Sequence, residues 1–230
     1  MIPTPRLVTI DGPAGVGKST VGRRVASELR LPFIDTGVFY RALALAASRA
    51  GLRASDAPRL AELAGEVRIE VNTSSAPADG AWQARIDGVE VRDRLWDPEL
   101  AAILAAVARE PGVRQRLLAP QRRPAEQGAV AVGRDTGTVV FPEAPCKVYL
   151  DAPSEVRIAR RREELRRRGR DASEAVLRQD VLNRDLTDRT RPQAPLMMPP
   201  GALEVDTTGL RAEQVVGLVL DQCRRLGVLR

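Results

Sequence analysis

The sequence contains no histidine, and several other residue types are scarce. Two cysteines occur among 230 residues, and aromatic side chains make up only 3% of the chain. Without histidine, Ser-His-Asp and Cys-His catalysis, histidine-ligated zinc and histidine proton transfer are all excluded. Cys146 and Cys223 are too few for a disulfide scaffold and are not spaced as metal ligands. Any chemistry must therefore use carboxylates, arginines, backbone amides or a bound metal ion.

Long apolar runs are also missing from the sequence. No stretch approaches the roughly 20 apolar residues that a membrane span needs, and the first residues lack the basic-then-apolar pattern of a signal peptide. Hydrophobic residues make up 43% of the chain and charged residues 29%, which excludes a disordered chain. We therefore expect a folded cytoplasmic protein that contacts no membrane. We also expect a monomer, although no sequence pattern determines the oligomeric state.

The balance of charge favours basic residues. Lysine and arginine number 36 against 30 acidic residues, giving a net charge of +6 and a pI near 10.2. Such a pI suggests nucleic-acid binding, so a nucleotide-dependent RNA-binding protein is one alternative, although few rings are present for base stacking. All but two of the basic residues are arginine, as arginine-favouring codon usage would produce. The lysine at Lys18 is notable against that background.

Short apolar segments alternate with helical patterns along most of the chain. This alternation predicts an α/β fold with a parallel sheet covered by helices on both faces. The predicted strands are 7–10, 33–35, 129–132, 147–150 and 203–206. Between the second and third, apolar residues alternate at 67–71 and at 82–86, and Asp87-Gly88 follows as a hairpin turn. A small antiparallel sheet is therefore predicted as an insert.

A phosphate-binding loop follows the first predicted strand. Gly12-Pro13-Ala14-Gly15-Val16-Gly17-Lys18-Ser19 matches G-x-x-x-x-G-K-[ST], and Thr20 continues into a predicted helix. Glycines allow the backbone amides to surround phosphate oxygens, and the helix N-terminus adds positive charge. Lys18 then reaches the β- and γ-phosphates, and the Ser19 hydroxyl is a ligand for Mg²⁺. The motif in this context predicts a bound nucleoside triphosphate.

Several classes of protein share such a loop, and the sequence separates some of them. A GTPase normally carries an N-K-x-D motif, which is impossible here because the only other lysine is Lys147. Translocating ATPases usually need further domains. A small-molecule kinase remains, with acceptors such as a nucleoside monophosphate or shikimate still open. Such an enzyme must bind a second anion with arginines at strand ends near the loop.

Three groups of residues meet that requirement. They are Thr36 with Arg41 after the second strand, Arg134 with Asp135 after the third strand, and Arg184, Asp188 and Arg191 on one predicted helical face. Singly, each is also typical of a surface ion pair. The arginine-rich segment from Ser154 is typical of a solvated helix, within which Arg157, Arg161 and Arg162 are candidate lid residues.

At this point the sequence resembles the bacterial-type cytidylate kinases of the nucleoside monophosphate kinase group. The segments that carry the resemblance are 9–20, 35–41, 133–142, 148–152 and 184–191. The resemblance implies phosphoryl transfer from ATP to CMP or dCMP with Mg²⁺, on a five-stranded parallel sheet of order 2-3-1-4-5. It also implies a core of residues 1–65 and 125–230, a monophosphate-binding insert at about 66–124 and a lid at about 154–190.

The resemblance also implies roles for individual residues. Those matching positions that hold the acceptor phosphate are Thr36, Arg41, Arg134 and Arg191, and the last three join Lys18 as catalytic residues. Arg114 and Asp135 match positions that read cytosine, and Arg184 and Asp188 match positions near the sugar. Ala105 departs from the family, which often has a base-reading serine nearby, so discrimination of cytosine from uracil is expected either to be looser or to pass through a neighbouring residue or water.

Overall fold

The computed structural model describes residues 6–74, 84–91, 93–167, 169 and 173–229. Five strands form a parallel sheet: β1 (Leu7–Asp11), β2 (Phe33–Asp35), β6 (Ala129–Gly133), β7 (Cys146–Asp151) and β8 (Leu203–Asp206). Their order is β2-β6-β1-β7-β8. Counted along the sheet's own strands this is 2-3-1-4-5, which confirms the predicted order. The carboxyl ends of β2, β6 and β1 therefore lie side by side.

The predicted antiparallel insert is present. Strands β3 (Ile69–Val71), β4 (Ala84–Ile86) and β5 (Val89–Val91) form a separate sheet in sequence order. The β4–β5 hairpin turns at Asp87 and Gly88, which have φ of 51° and 81°, as a two-residue hairpin of this type requires. The expected strand residues 82 and 83 lie outside the described residues.

Eight helices flank the sheets within the described ranges. They are α1 (Lys18–Leu29), α2 (Thr36–Arg49), α3 (Ala57–Glu66), α4 (Ala101–Arg109), α5 (Pro111–Arg122), α6 (Ser154–Arg167), α7 (Glu174–Thr190) and α8 (Ala212–Arg225). A short 3₁₀ turn, Pro98–Leu100, precedes α4, and the Asp97 side chain accepts from the Glu99 amide there. None of these helices is both long and apolar enough to span a membrane.

Apolar side chains from the two faces of the parallel sheet form two cores. One includes α2 to α5 and the antiparallel sheet, and the other includes α1 and α8. In the second, Cys146 and Cys223 are buried free thiols with their sulfur atoms 3.4 Å apart. A third, small cluster of Ile158, Leu177 and Val181 joins α6 to α7. Helices α6 and α7 thus pack mainly on each other, beside the strand ends.

Candidate active site

The phosphate-binding loop between β1 and α1 depends on its glycines. Gly12, Gly15 and Gly17 have φ of 147°, 83° and 93°, a region that other residues rarely adopt. A Cβ on Gly12 would also lie 2.0 Å from the Leu150 carbonyl oxygen. Gly17 precedes α1, so the free amides of that helix N-terminus lie at the loop, where they can bind an anion.

Lys18 lies inside this loop and is buried. Its Nζ donates to the Pro13 carbonyl oxygen at 2.6 Å, which folds the ammonium group back over the loop. Burial lowers the pKa of Lys18 well below its ordinary value, and the charges of Arg134 and Arg184 lower it further, while Asp35 acts in the opposite direction. The charges that act on Lys18 thus come from segments that are distant in the sequence.

Ser19 and Asp35 form a pair of oxygen ligands at the start of α1 and the end of β2. The Ser19 hydroxyl donates to Asp35 Oδ2 at 2.8 Å. Asp35 Oδ1 accepts from the Gly37 amide and caps α2, although Thr36 is also a residue type that favours the cap position. The Thr36 hydroxyl instead donates to the Val132 carbonyl at 3.0 Å, which ties β2 to β6 beside the site.

Arg41 is held in the second turn of α2 by two contacts. Its Nη1 donates to the Leu95 carbonyl at 3.2 Å, and its guanidinium lies 4.1 Å from the ring centroid of Trp96. Burial lowers the pKa of Arg41 to about 10, and the charge of Arg184 contributes. Stacking on Trp96 fixes the guanidinium plane, a role for Trp96 that the sequence analysis missed.

Five of the predicted site residues form one chain of alternating charge. Arg134 Nε donates to Asp188 Oδ2 at 2.8 Å, and Asp188 lies 3.6 Å from Arg191 Nη1. Arg191 Nη2 lies 3.5 Å from Asp135 Oδ1, and Asp135 in turn accepts from Arg114. All five side chains are at most 17% exposed. The structure therefore brings together residues from α5, the β6 end and α7.

Arg191 does not lie on the helical face where the sequence analysis placed it. Helix α7 ends at Thr190, and Arg191 has an extended conformation with ψ of 139°. Pro192 explains this, because a proline disfavours the helical conformation in the residue before it. Arg191 Nε donates to the Ala194 carbonyl at 2.6 Å. Its buried Nη2 makes no hydrogen bond among the described residues and contacts Asp135 Oδ1 only at 3.5 Å.

Arg184 completes the cationic side of the site. It lies four residues before Asp188 on α7, so the predicted shared face is confirmed for this pair. The pKa of Arg184 is lowered to about 10, first by desolvation among the surrounding protein atoms and then by Arg134. The side chain nonetheless keeps accessible surface. Such crowding of cations is unfavourable unless an anion binds among them.

The three candidate lid arginines differ in their surroundings. Arg157 is buried: it donates to Asp185 Oδ1 at 3.0 Å and to the Ala14 carbonyl of the phosphate-binding loop at 3.2 Å. Arg161 is exposed and pairs with Glu164, while Arg162 is half-buried and pairs with Glu174. The charge of Arg161 also lowers the pKa of Arg41 and of Arg184. Arg157 thus joins α6 and α7 to the loop, and Arg161 acts on two cations of the site.

Comparison with known proteins gives one consistent result. A family model described as cytidylate kinase matches residues 8–225. A cytidylate kinase from Symbiobacterium thermophilum is 40% identical over 220 residues, covering 95% of this chain and 96% of the relative. One from Methylococcus capsulatus is 41% identical over 217 residues, covering 93% and 95%. A solved shikimate kinase from Bacteroides thetaiotaomicron is 14% identical with a TM-score of 0.48, covering 96% of this chain and 98% of that one, a likeness too distant to bear on the substrate.

Proposed function

This chain belongs to the cytidylate kinase family and is an ATP-dependent kinase, and on that premise we propose that it transfers the γ-phosphate of ATP to CMP or dCMP. The products are ADP and CDP or dCDP. The observation that supports this assignment best is the charge network. Arginines from three separate segments converge beside the phosphate-binding loop, where two polyanions would otherwise repel each other.

The chemistry is compatible with a site that has no histidine. Phosphoryl transfer passes through a loose transition state, so positioning and electrostatic stabilisation account for most of the catalysis. The acceptor phosphate has a second pKa near 6 and is already an oxyanion at neutral pH. No general base has to remove a proton. The protein's task is to hold two phosphates in line and to neutralise them.

We assign the acceptor phosphate to Thr36, Arg41, Arg134 and Arg191. Arg191 supports this role because its buried Nη2 makes no hydrogen bond among the described side chains and reaches Asp135 only at 3.5 Å, so a closer phosphate oxygen would satisfy this donor. Arg41 supports it because Trp96 and Leu95 fix its orientation. With Lys18, these three arginines are the proposed catalytic residues.

The cytosine ring and the sugar are assigned to the other members of the network. Arg114 and Asp135 are a buried pair, and Arg114 also donates to the Ala108 carbonyl at the end of α4. Together they offer fixed donors and an acceptor to a base. Arg184 and Asp188 are assigned to the sugar and its surroundings. Ala105 lies exposed on α4 and adds no hydrogen bond, which supports looser selection against UMP.

The donor site is the phosphate-binding loop. We assign the ATP phosphates to residues 12–20, where backbone amides and the α1 N-terminus supply positive charge. In the structure Lys18 Nζ is bonded to the Pro13 carbonyl, and the proposed role requires it to turn toward the β- and γ-phosphates. The pKa of Lys18 is lowered by burial and by two arginines; bound phosphate would favour its charged form.

A magnesium ion fits the donor side of the site. Ser19 Oγ and Asp35 Oδ2, only 2.8 Å apart, are hard oxygen ligands of the kind that Mg²⁺ prefers beside phosphates and water. Ser19 would hold the ion directly and Asp35 would support it. The ion would neutralise charge on the triphosphate. Within the described residues no cluster of three or more carboxylates, cysteines or histidines offers another site.

We further propose that the chain functions as a single kinase domain. Its core is 1–65 and 125–230, its monophosphate-binding insert is about 66–124, and its lid is about 154–190, although residues 1–5, 75–83, 92, 168, 170–172 and 230 lie outside the described structure. The arrangement of α6 and α7, which pack chiefly on each other, supports a movable lid. Closure would exclude water, so ATP hydrolysis without an acceptor should be slow.

We propose that the partners are small nucleotides, not nucleic acid, and that the protein is a cytoplasmic monomer. The surface arginines of α6 and α7 support the exclusion of nucleic acid, because several are already paired with glutamates. These pairs are Arg161–Glu164, Arg162–Glu174, Arg167–Glu163 and Arg178–Glu155. Salt-sensitive RNA binding that persists in excess CMP would contradict this proposal.

An acceptor panel tests the proposed function. Purified protein with ATP and Mg²⁺ is offered CMP, dCMP, UMP, AMP, GMP, dTMP or shikimate, and ADP release is measured. We expect CMP and dCMP to give the highest kcat/KM, and a Lys18→Ala variant to give only background. ADP release with CMP no greater than in that variant would refute kinase activity on CMP. A better acceptor elsewhere in the panel would reassign the substrate.

A further inference from the structure

Asp11, the last residue of β1, is a fully buried carboxylate whose contacts have no part in the function described so far. Its Oδ1 accepts from the Thr136 amide at 2.8 Å and from the Thr136 hydroxyl at 2.7 Å. Its Oδ2 accepts from the Gly137 amide at 2.7 Å. Both oxygens are thus engaged by one loop, the short π-helical segment Thr136–Val140 that follows β6.

These contacts favour the ionised form of the carboxylate. A backbone amide can only donate, and each oxygen of Asp11 faces at least one such donor. Burial raises the pKa of Asp11, and the hydrogen bonds from Gly137 and Thr136 oppose that rise. Charge-assisted hydrogen bonds to an anion are about twice as strong as neutral ones, so the connection between strand and loop is stiff.

The position of Asp11 gives this connection its importance. Asp11 directly precedes Gly12, the first residue of the phosphate-binding loop, and it lies opposite Gly133 in the β1–β6 register. The loop it holds begins directly after Arg134 and Asp135. The fit is close, because a Cβ on Gly137 would lie 2.8 Å from the Thr9 hydroxyl oxygen of β1. One side chain therefore joins the donor loop to the acceptor-binding arginine.

We propose that Asp11 is a positioning residue that sets the distance between the phosphate-binding loop and the Arg134–Asp135 segment. This inference rests on the proposed function, in which those two segments hold the donor and the acceptor phosphate. In-line transfer needs the reacting atoms about 3–3.5 Å apart, and a misplacement of about 1 Å can cost a factor of 100 in rate. Asp11 touches neither substrate and acts through Thr136 and Gly137.

Steady-state kinetics of Asp11→Asn test the proposal. The amide keeps the size of the carboxylate but turns an NH₂ group toward one of the three donors. We expect kcat to fall at least 10-fold and the CMP KM to rise at least 5-fold. The ATP KM should change less than 3-fold, because the loop itself keeps its glycines and Lys18. A purely structural role would not produce this separation of the two KM values.

Two kinds of control distinguish positioning from a general loss of stability. Val219→Ala, in the buried core on α8, lowers the Tm away from both loops and should leave the KM values and kcat unchanged at 25 °C. Thr136→Val removes one donor to Asp11, and Thr136→Ser keeps it. We expect a 2- to 5-fold rise in the CMP KM for the valine variant and wild-type kinetics for the serine variant, even if Asp11→Asn fails to fold.

Each outcome of this experiment decides one question. CMP turnover by the wild-type protein in the same assay tests the proposed function alone. If the wild type does not phosphorylate CMP, the proposed function is wrong, and this result is distinct from a variant that shows no positioning effect. Unchanged kinetics in Asp11→Asn, or equal behaviour of the two Thr136 variants, would overturn the role of Asp11. A change confined to the ATP KM would also overturn it, since Asp11 would then act on the donor loop only.

Discussion

Replacing Arg134 with alanine removes one of the cations assigned to the acceptor phosphate. The Arg134 side chain is 17% exposed, and its Nε lies 2.8 Å from Asp188, so it is partly desolvated and rigidly held. A single preorganised donor of this kind contributes about 2–4 kcal/mol to transition-state stabilisation, or ~30- to 1000-fold in kcat/KM. Asp188 keeps Arg191 at 3.6 Å, so we expect the variant to fold.

The assay is ADP release at varied CMP with saturating ATP, and then at varied ATP with saturating CMP. For Arg134→Ala we expect a higher CMP KM together with a lower kcat, because the contact serves both binding and the transition state. The matched control is Arg59→Ala, which removes an exposed arginine that pairs with Glu62 and Glu66 and should leave both constants unchanged. An effect limited to the ATP KM, or a kcat/KM within 3-fold of wild type, would refute the reasoning.

Three further predictions concern Arg41, Arg157 and Asp188. Arg41→Ala should raise the acceptor KM and lower kcat together; a change in the ATP KM alone would contradict its role. Arg157→Ala leaves Asp185 without its cation and should lower the free energy of unfolding by about 3 kcal/mol. This corresponds to a fall of roughly 6–12 °C in Tm. An unchanged Tm in thermal unfolding would show that the pair does not stabilise the fold. Burial raises the pKa of Asp188, but Arg134 and other cations outweigh it and hold that pKa below 3.8. The carboxylate therefore stabilises the fold above pH 4 and loses this effect as the pH falls through its folded-state pKa. In urea unfolding, Asp188→Asn should have a lower free energy of unfolding at pH 7, and that free energy should depend less on pH between pH 5 and 3. A pH dependence equal to that of the wild type would count against this role of Asp188.

Features carried by local patterns could be predicted from the sequence. The phosphate-binding loop is one, because its glycines occupy backbone regions closed to other residues and so leave a distinct motif. The parallel sheet is another, since buried strands produce short apolar runs. The clustering of Arg41, Arg134 and Arg184 was also predictable, because ligands bind at the carboxyl ends of such strands. In the structure the charges of Arg134 and Arg184 lower the pKa of Arg41, and the charge of Arg134 lowers the pKa of Arg184.

Features that depend on which segments become neighbours could not be predicted. Asp35 and Thr36 are both residue types that cap helices well. The Asp35 carboxylate caps α2 and also accepts from the Ser19 hydroxyl, a contact that only the folded structure reveals. Nothing local to Arg157 indicates its pairing with Asp185, 28 positions away. Arg191 is different: Pro192 already marked the end of α7 in the sequence, so its departure from the helical face was foreseeable.

The alternating network of Arg114, Asp135, Arg191, Asp188 and Arg134 has a consequence for selectivity among anions. Its two aspartates already occupy the guanidinium groups, so an incoming ligand has to compete with resident carboxylates. Chloride carries too little charge and too few acceptor atoms to displace these carboxylates, whereas a phosphate dianion offers three oxygens at once. We therefore expect chloride to bind this site weakly. Potassium chloride at 0.2 M should leave the CMP KM nearly unchanged, while inorganic phosphate should act as a competitive inhibitor against CMP.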